Sequence, residues 1–238
     1  MQLIPVKTRV IRPPKDDIYD VLDKLQLREK DILIITSKIL SIHQGRCVKK
    51  TKNLKQRDLA QTEADAYLPG SGPYSFLTIK HRAILSSAGV DTKNSGGYFI
   101  LPPIKPALSA QKIWQRIRKK HRLKNLGVII TDSHSVPLRL GTVGISLGHF
   151  GIEPLVDYTG QPSVFGNELN VSRSNAVDAL AAAATFIMGE GNQKNPIVIV
   201  RNIRSITFNS KDTRSKLFPD KQSDMFAPLL KLFRINKK

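Results

Sequence analysis

The sequence predicts a mixed α/β (α+β) fold, and three observations carry that expectation. Short runs rich in β-branched residues at 31–36, 128–131 and 196–200 have the length and composition of buried strands. A small-residue segment, NAVDALAAAATFIM, follows Ser174 and is stopped by Gly189 and Gly191, as a helix is. Strands and helices alternate along the chain without a strict βαβ rhythm, so the mixed class follows.

In chain order, Ile18, Val21, Leu22 and Leu25 recur at helical spacing over 16–26, behind Asp16 and Asp17, two acids suited to a helix N-terminus. The stretch 49–66 is polar and predicts a helix from near Leu54. Pro69-Gly70-Ser71-Gly72-Pro73 is the best break in a single unit of residues 1–238, and it predicts two lobes. Strands are expected at 76–79 and 81–86. A helix over 109–120 carries Ile113, Trp114 and Ile117 on one side. Five glycines between 138 and 160 predict turns or close backbone approaches. The tail predicts an amphipathic helix in which Met225, Phe226, Leu229, Leu230 and Phe233 share a face. No internal repeat is present.

Charge is the unusual property of the chain. Its 238 residues hold 38 Lys and Arg against 19 Asp and Glu, a net charge of +19 and a pI near 10.2. Such a surface attracts nucleic acid, nucleotides or polyanionic metabolites over long distances, and a basic proteome explains it as well as a dedicated polyanion site does. The basic run from Arg116 to Lys124 reads as a solvated helix face, with Trp114 as a core anchor, so nucleic acid is not the expected partner. The single cysteine, Cys47, excludes an internal disulfide and a cysteine-only metal cage, which suits a reducing compartment. The N-terminus lacks the apolar core of a signal peptide, and no run approaches the roughly 18 apolar residues that cross a bilayer. A soluble, cytoplasmic protein is expected.

Several motifs are absent: a Gly-x-x-x-x-Gly-Lys phosphate loop, His-Glu-x-x-His, and Gly-x-Gly-x-x-Gly after a strand. Gly144-Ile145-Ser146-Leu147-Gly148 matches a nucleophile elbow, but no histidine follows His149 and the next residues are not helical, so the match reads as coincidence. More informative are Gly89-Val90-Asp91-Thr92-Lys93-Asn94 and Thr131-Asp132-Ser133. Asp132 is read as standing just past a buried strand, where α/β proteins expose ligand-binding residues. Two carboxylates with neighbouring hydroxyl and amide oxygens are hard ligands for magnesium or manganese. Turn or cap residues are the competing reading of both aspartates.

Taken together, these segments resemble the ligases that add glutamate to F-420-0, the deazaflavin coenzyme precursor. The resemblance covers most of the chain and is densest from Ala88 to Gly191. Its landmarks are Ala88-Gly89-Val90-Asp91 with Asn94, Leu101-Pro102-Pro103, Ile129-Ile130-Thr131-Asp132-Ser133, Pro137-Leu138-Arg139-Leu140-Gly141, Phe165-Gly166-Asn167-Glu168-Leu169 and Met188-Gly189-Glu190-Gly191. Thr36-Ser37-Lys38-Ile39 and Gly45-Arg46 add an N-terminal match.

The resemblance implies a homodimer of the family's own fold, using GTP, or ATP in its place, with two divalent ions, Mg or Mn, and a monovalent cation as a further candidate. Carried over by position, Asp91 and Asp132 are ligands of one metal, and Ser133 stands where the family has a threonine on the second. Ser37, Lys38 and Asn94 are implied nucleotide contacts, as is Arg9-Val10-Ile11-Arg12. The implied partners are L-glutamate and an anionic acceptor, a deazaflavin or a folate. Phosphoryl transfer would activate the acceptor carboxylate as an acyl phosphate for attack by the glutamate amine.

The chain departs from the family in places. Ser41-Ile42-His43-Gln44-Gly45-Arg46 stands where the family commonly has Ser-Lys-Ala-Glu-Gly-Arg, so its nucleotide-binding lysine is Ile42 and its acid is Gln44. Ser135-Val136-Pro137 replaces Gly-Arg-Pro, with the loss of one arginine. Such changes resemble a branch suspected of acting on folate. The rival expectations are a non-catalytic nucleotide-binding dimer and a basic nucleic-acid-binding protein.

Overall fold

The computed structural model describes residues 1–71, 76–220 and 223–236. From the N-terminus the elements are β1 (Gln2–Val6), α1 (Tyr19–Leu22), β2 (Asp31–Thr36), α2 (Ser37–His43), β3 (Cys47–Lys49), α3 (Gln56–Glu63) and β4 (Ala66–Tyr67). There follow β5 (Leu77–Lys80), β6 (Ala83–Ser86), β7 (Tyr98–Ile100), α4 (Pro106–His121), β8 (Leu126–His134), β9 (Val143–Phe150) and β10 (Leu155–Asp157). The chain closes with β11 (Arg173–Asn175), α5 (Ala176–Met188), β12 (Ile197–Arg201), α6 (Ala227–Leu230) and β13 (Arg234–Ile235). The mixed class is as expected. Gly72 and Pro73 of the candidate break lie outside the described residues.

The central sheet has the order β1-β12-β2-β8-β9. Within it β2 and β8 run parallel, and the other neighbours are antiparallel. Side chains alternate along a strand, so the unbroken apolar runs of β2 and β8 require cover on both faces. Leu33, Ile35, Val128 and Ile130 pack with Ile39, Leu40 and Ile42 of α2 and with Ile113, Trp114 and Ile117 of α4. Ile32, Ile34 and Ile129 pack on the opposite face with Val177, Leu180, Ala184 and Met188 of α5. The fully buried Asp31 is matched by Arg201, whose Nε and Nη2 donate to its two oxygens at 2.9 and 2.7 Å. A second sheet, β13-β4-β5-β6, lies beside a smaller core of Ala60, Ala64, Phe76, Ala88, Val90, Phe99 and Leu101.

A bulge in β9 lets both helical layers approach the sheet. Ile130 pairs with Gly148 and Thr131 with Ser146, so Leu147 is an extra residue. Gly144 and Gly148 would otherwise share a face. Instead a Cβ on Gly144 would lie 2.3 Å from the Ala181 carbonyl oxygen of α5, and one on Gly148 would lie 2.5 Å from the Ala107 nitrogen of α4. These are close backbone approaches, as the glycine spacing suggested. The Gly-x-Ser-x-Gly match is thus strand β9 with Ser146 buried, and it forms no elbow.

Two helix expectations need correction. The N-terminal helix is the four residues of α1, because the Asp16 carboxylate is turned to Arg9 and to the Arg12 amide rather than to a helix start. The tail holds only α6: Pro228 confines the turn to its first positions, and Arg234–Ile235 is taken by pairing with β4. Met225, Phe226 and Leu229 stay exposed.

His149 of β9 is buried and neutral. The Thr213 hydroxyl donates to the Ile152 carbonyl at 3.0 Å, so its 3.2 Å contact with His149 Nε2 requires the proton on that nitrogen. Burial lowers the imidazole from 6.5 to about 4. Because the unfolded chain binds this proton more readily, the contribution to stability is full above about pH 6.5 and is lost as pH falls toward 4, on the order of 3 kcal/mol in all. The urea midpoint should therefore fall between about pH 7 and about pH 4.5, and the fall should be shallower in His149→Gln. An equal slope in the variant would assign the effect to other groups.

Candidate active site

Because β2 and β8 are parallel and in register, Thr36 stands opposite Thr131 at the end of their pairing. There β2 turns directly into α2, while β8 continues to His134 against β9. Asp132 and Ser133 thus lie within a strand, not just past one, but beyond the end of its parallel partner. Ser37 and Lys38 open the helix alongside them. The crevice outside the carboxyl ends of parallel strands is the usual ligand site of α/β sheets. Here it forms a cavity of about 420 Å³ whose lining includes Ser37, Lys38, Asp91, Asn94, Asp132 and Ser133.

Asp91 reaches this cavity from the second sheet through a strained turn. Ser87, Ala88 and Gly89 have φ of 50°, 53° and 75°, three successive left-handed residues. Left-handed backbone costs a residue with a Cβ roughly 1–2 kcal/mol, so the turn needs fixed partners. They are present: the Ser87 amide donates to the Phe76 carbonyl, and the Ala88 amide to Thr78 Oγ1 at 2.8 Å. Thr78 is itself fully buried and donates to the Leu85 carbonyl at 2.6 Å. Gly89 admits Asp132 closely, since a Cβ there would lie 3.1 Å from its Oδ2. Asp91 then bridges Ile100 through both backbone groups.

The charges in the cavity are interdependent. Burial pushes the Asp132 carboxyl up to about 7; the Ser133 amide, the Ser37 hydroxyl and the Lys38 ammonium oppose the rise, while the charge of Asp91 adds to it. The Ser133 amide donates to Asp132 Oδ1 at 2.9 Å. Lys38 Nζ lies 2.6 Å from Asp91 Oδ2 and donates to the Lys93 carbonyl at 3.3 Å. The Lys93 amide holds Asp91 Oδ1 at 2.7 Å. Asn94 Nδ2 donates to the Gly191 carbonyl at 3.2 Å, tying this loop to the segment after α5.

The N-terminal segment is placed differently from the other expected residues. Arg9, Val10 and Ile11 line the cavity, and Arg12 lies outside the lining. The Arg9 guanidinium is spent on Asp16 and Asp20, at 2.7 to 3.0 Å, and on the Val10 and Asp17 carbonyls. It shapes the loop. Ile42 lines the cavity while buried in the core. Gln44 clamps the turn before α4: its amide donates to the Ile104 carbonyl and Ser109 Oγ, both at 3.0 Å, and accepts from the Ile104 amide at 2.7 Å. The segment from Gly189 to Pro196, which carries no role in the sequence reading, also lines the cavity. Met188-Gly189-Glu190-Gly191 was its available signal.

A sequence model described as F420-0:Gamma-glutamyl ligase matches residues 5–202. The chain belongs to this family. Among its relatives is the Coenzyme F420:L-glutamate ligase of Methanococcus maripaludis strain C7, 30% identical over 95% of this chain and 97% of the relative. The proteins of that name from Archaeoglobus fulgidus and Methanopyrus kandleri are 26% and 28% identical, over 97% and 84% of this chain and 98% and 86% of theirs. The matched span contains residues 88–94 and 129–133, from which Gly89, Asp91, Asn94, Thr131, Asp132 and Ser133 line the cavity.

The support of the left-handed turn is directly testable. Thr78→Val keeps the shape but leaves the Ala88 amide unpaired, and should cost about 1–3 kcal/mol in urea unfolding. A loss below about 0.5 kcal/mol would show that the turn holds without it.

Proposed function

We propose that this chain is a gamma-glutamyl ligase that joins L-glutamate to an anionic acceptor at the expense of GTP, through an acyl phosphate. The observation that carries this reading is the meeting of Asp91 and Asp132 with Ser37, Lys38 and Asn94 in one cavity, in a family whose relatives bear a ligase name. A nucleic-acid-binding role leaves the two aspartates unexplained.

The donor set suits divalent magnesium or manganese. Two neighbouring carboxylates, one of them buried at a cost to its own ionisation, are accompanied by hydroxyl and amide oxygens. Asp91 and Asp132 would hold the first ion and Ser133 the second. Bound there, the ions would neutralise phosphate oxygens during transfer.

Lys38 and Asn94 would position the nucleotide's phosphates, with Ser37 orienting Asp132. An acceptor carboxylate oxygen attacks the terminal phosphorus, and the nucleoside diphosphate leaves. The unprotonated amine of glutamate attacks the resulting acyl carbon, inorganic phosphate leaves, and the amide remains. Positioning and charge stabilisation are the protein's main contributions to such a transfer. The acceptor is F-420-0 or a folate, and Ile42 in place of the family lysine leaves ATP as the alternative nucleotide.

We further propose one two-lobed unit over 1–238 that works as a homodimer. Between Leu140 and Gln193 the sole basic residue is Arg173, against Glu153, Asp157, Glu168, Asp178 and Glu190. This is the part of a +19 chain least repelled by a second copy. It includes a hydrogen-bonded hairpin extending β10 and β11, with Val164 and Phe165 at its tip 99% and 91% exposed. Phe165→Glu should convert a dimer to monomer in sedimentation experiments. A wild-type monomer, or a variant that remains dimeric, would remove this assignment.

The test of the activity is a mass-spectrometric ligation assay with glutamate, manganese or magnesium, and GTP or ATP, offering F-420-0 and a reduced folate in parallel. A gain of one glutamyl unit is expected on one acceptor, and Asp132→Asn should lower the rate by at least roughly 100-fold while remaining folded. Ligation at near wild-type rate by that variant would remove the metal assignment.

A further inference from the structure

Lys38 has a second consequence, and it comes from where its ammonium rests. The Nζ atom lies 2.6 Å from Asp91 Oδ2, on one of the two carboxylates that would hold a metal ion. The other oxygen of Asp91 is already held by the Lys93 amide, so Oδ2 is the one that Lys38 neutralises. The two side chains are about 30% exposed, which leaves the pair accessible to exchange. Lys38 reaches Asp91 from the first turn of α2, across a separation of 53 residues in sequence. Its long unbranched stem can re-aim the ammonium within the cavity that it lines. The same ammonium also eases the charge on Asp132.

We propose that Lys38 is a place-holding cation, which neutralises Asp91 until nucleotide phosphate draws its ammonium away and frees the carboxylate for a divalent ion. The inference rests on the proposed metal site and adds a coupling to it. Two adjacent carboxylates in a partly desolvated cavity repel each other and need a counter-charge at all times. Lysine supplies it while the ion is absent. Nucleotide and metal then bind cooperatively, because a phosphate that captures Lys38 removes the metal's competitor. The arrangement also disfavours metal binding ahead of substrate.

The test is a titration of the purified full-length protein with Mn2+ alone, read by the electron paramagnetic resonance signal of free Mn2+ and repeated with a non-hydrolysable GTP analogue. Without nucleotide, Lys38→Met should bind Mn2+ roughly five-fold or more tightly than wild type, and Lys38→Gln should behave alike. Lys194→Met, which removes another charge from the cavity lining, controls for long-range attraction and should change the affinity less than about two-fold. The analogue should also enhance Mn2+ binding less in Lys38→Met than in wild type. Unchanged or weaker nucleotide-free binding in both Lys38 variants, or an equal gain in Lys194→Met, would overturn the place-holding role while leaving the metal site intact. Absence of Mn2+ binding by every form, with and without the analogue, would overturn the metal reading and this proposal with it.

Discussion

The parallel pairing of β2 with β8 decides where Ser37, Lys38, Asp132 and Ser133 stand. Six residue pairs, from Asp31 opposite Leu126 to Thr36 opposite Thr131, bring two chain segments about a hundred residues apart to the same edge of the sheet. Because β2 stops and β8 continues, the start of α2 meets an extended strand rather than another turn. Ser37 and Lys38 therefore face Asp132 and Ser133 directly. The pairing is anchored by burial on both faces, and Arg201 closes the far end on the buried Asp31. A one-residue slip in this register would reverse the faces of β2 and take its isoleucines out of both cores.

The second sheet contributes the remaining carboxylate, under strain. Three left-handed residues carry the chain from β6 to Asp91, and a buried threonine, a buried alanine and a glycine make the turn feasible. Strain of this kind persists only where surrounding contacts over-determine it, and it is typical of sites that must hold a charge in place. The cavity that results brings Asp91 and Asp132 together on a strongly basic protein. Its carboxylates are held by Lys38, by the Ser37 hydroxyl and by backbone amides.

Much of this was legible in the residues, and the limits have physical causes. The run 31–36 coincides with β2, and the helix from Ser174 to Met188 is α5 with Asn175 as its cap. Both are strongly patterned and buried on the expected faces. β1 carries Pro5 and sits at the sheet edge, so its composition is weak and only its pairing with β12 reveals it. β3, β4, β7 and β13 are two or three residues long, held by partners remote in sequence that local pattern cannot anticipate. Asp91 and Asp132 stood out in the sequence as candidate site residues, and both line the cavity. The saturation of Arg9 by Asp16 and Asp20, the clamp made by Gln44 and the ion pair of Lys38 with Asp91 were not legible. Each depends on the direction of a long side chain in three dimensions, which residue spacing does not encode.

The most direct test of the proposed site is a crystal structure with Mn2+ and a non-hydrolysable GTP analogue, with manganese located by its anomalous scattering. A manganese peak is expected between the Asp91 and Asp132 carboxylates, with the analogue's phosphates against Lys38 and Asn94. A nucleotide bound elsewhere, or manganese away from both aspartates, would contradict it.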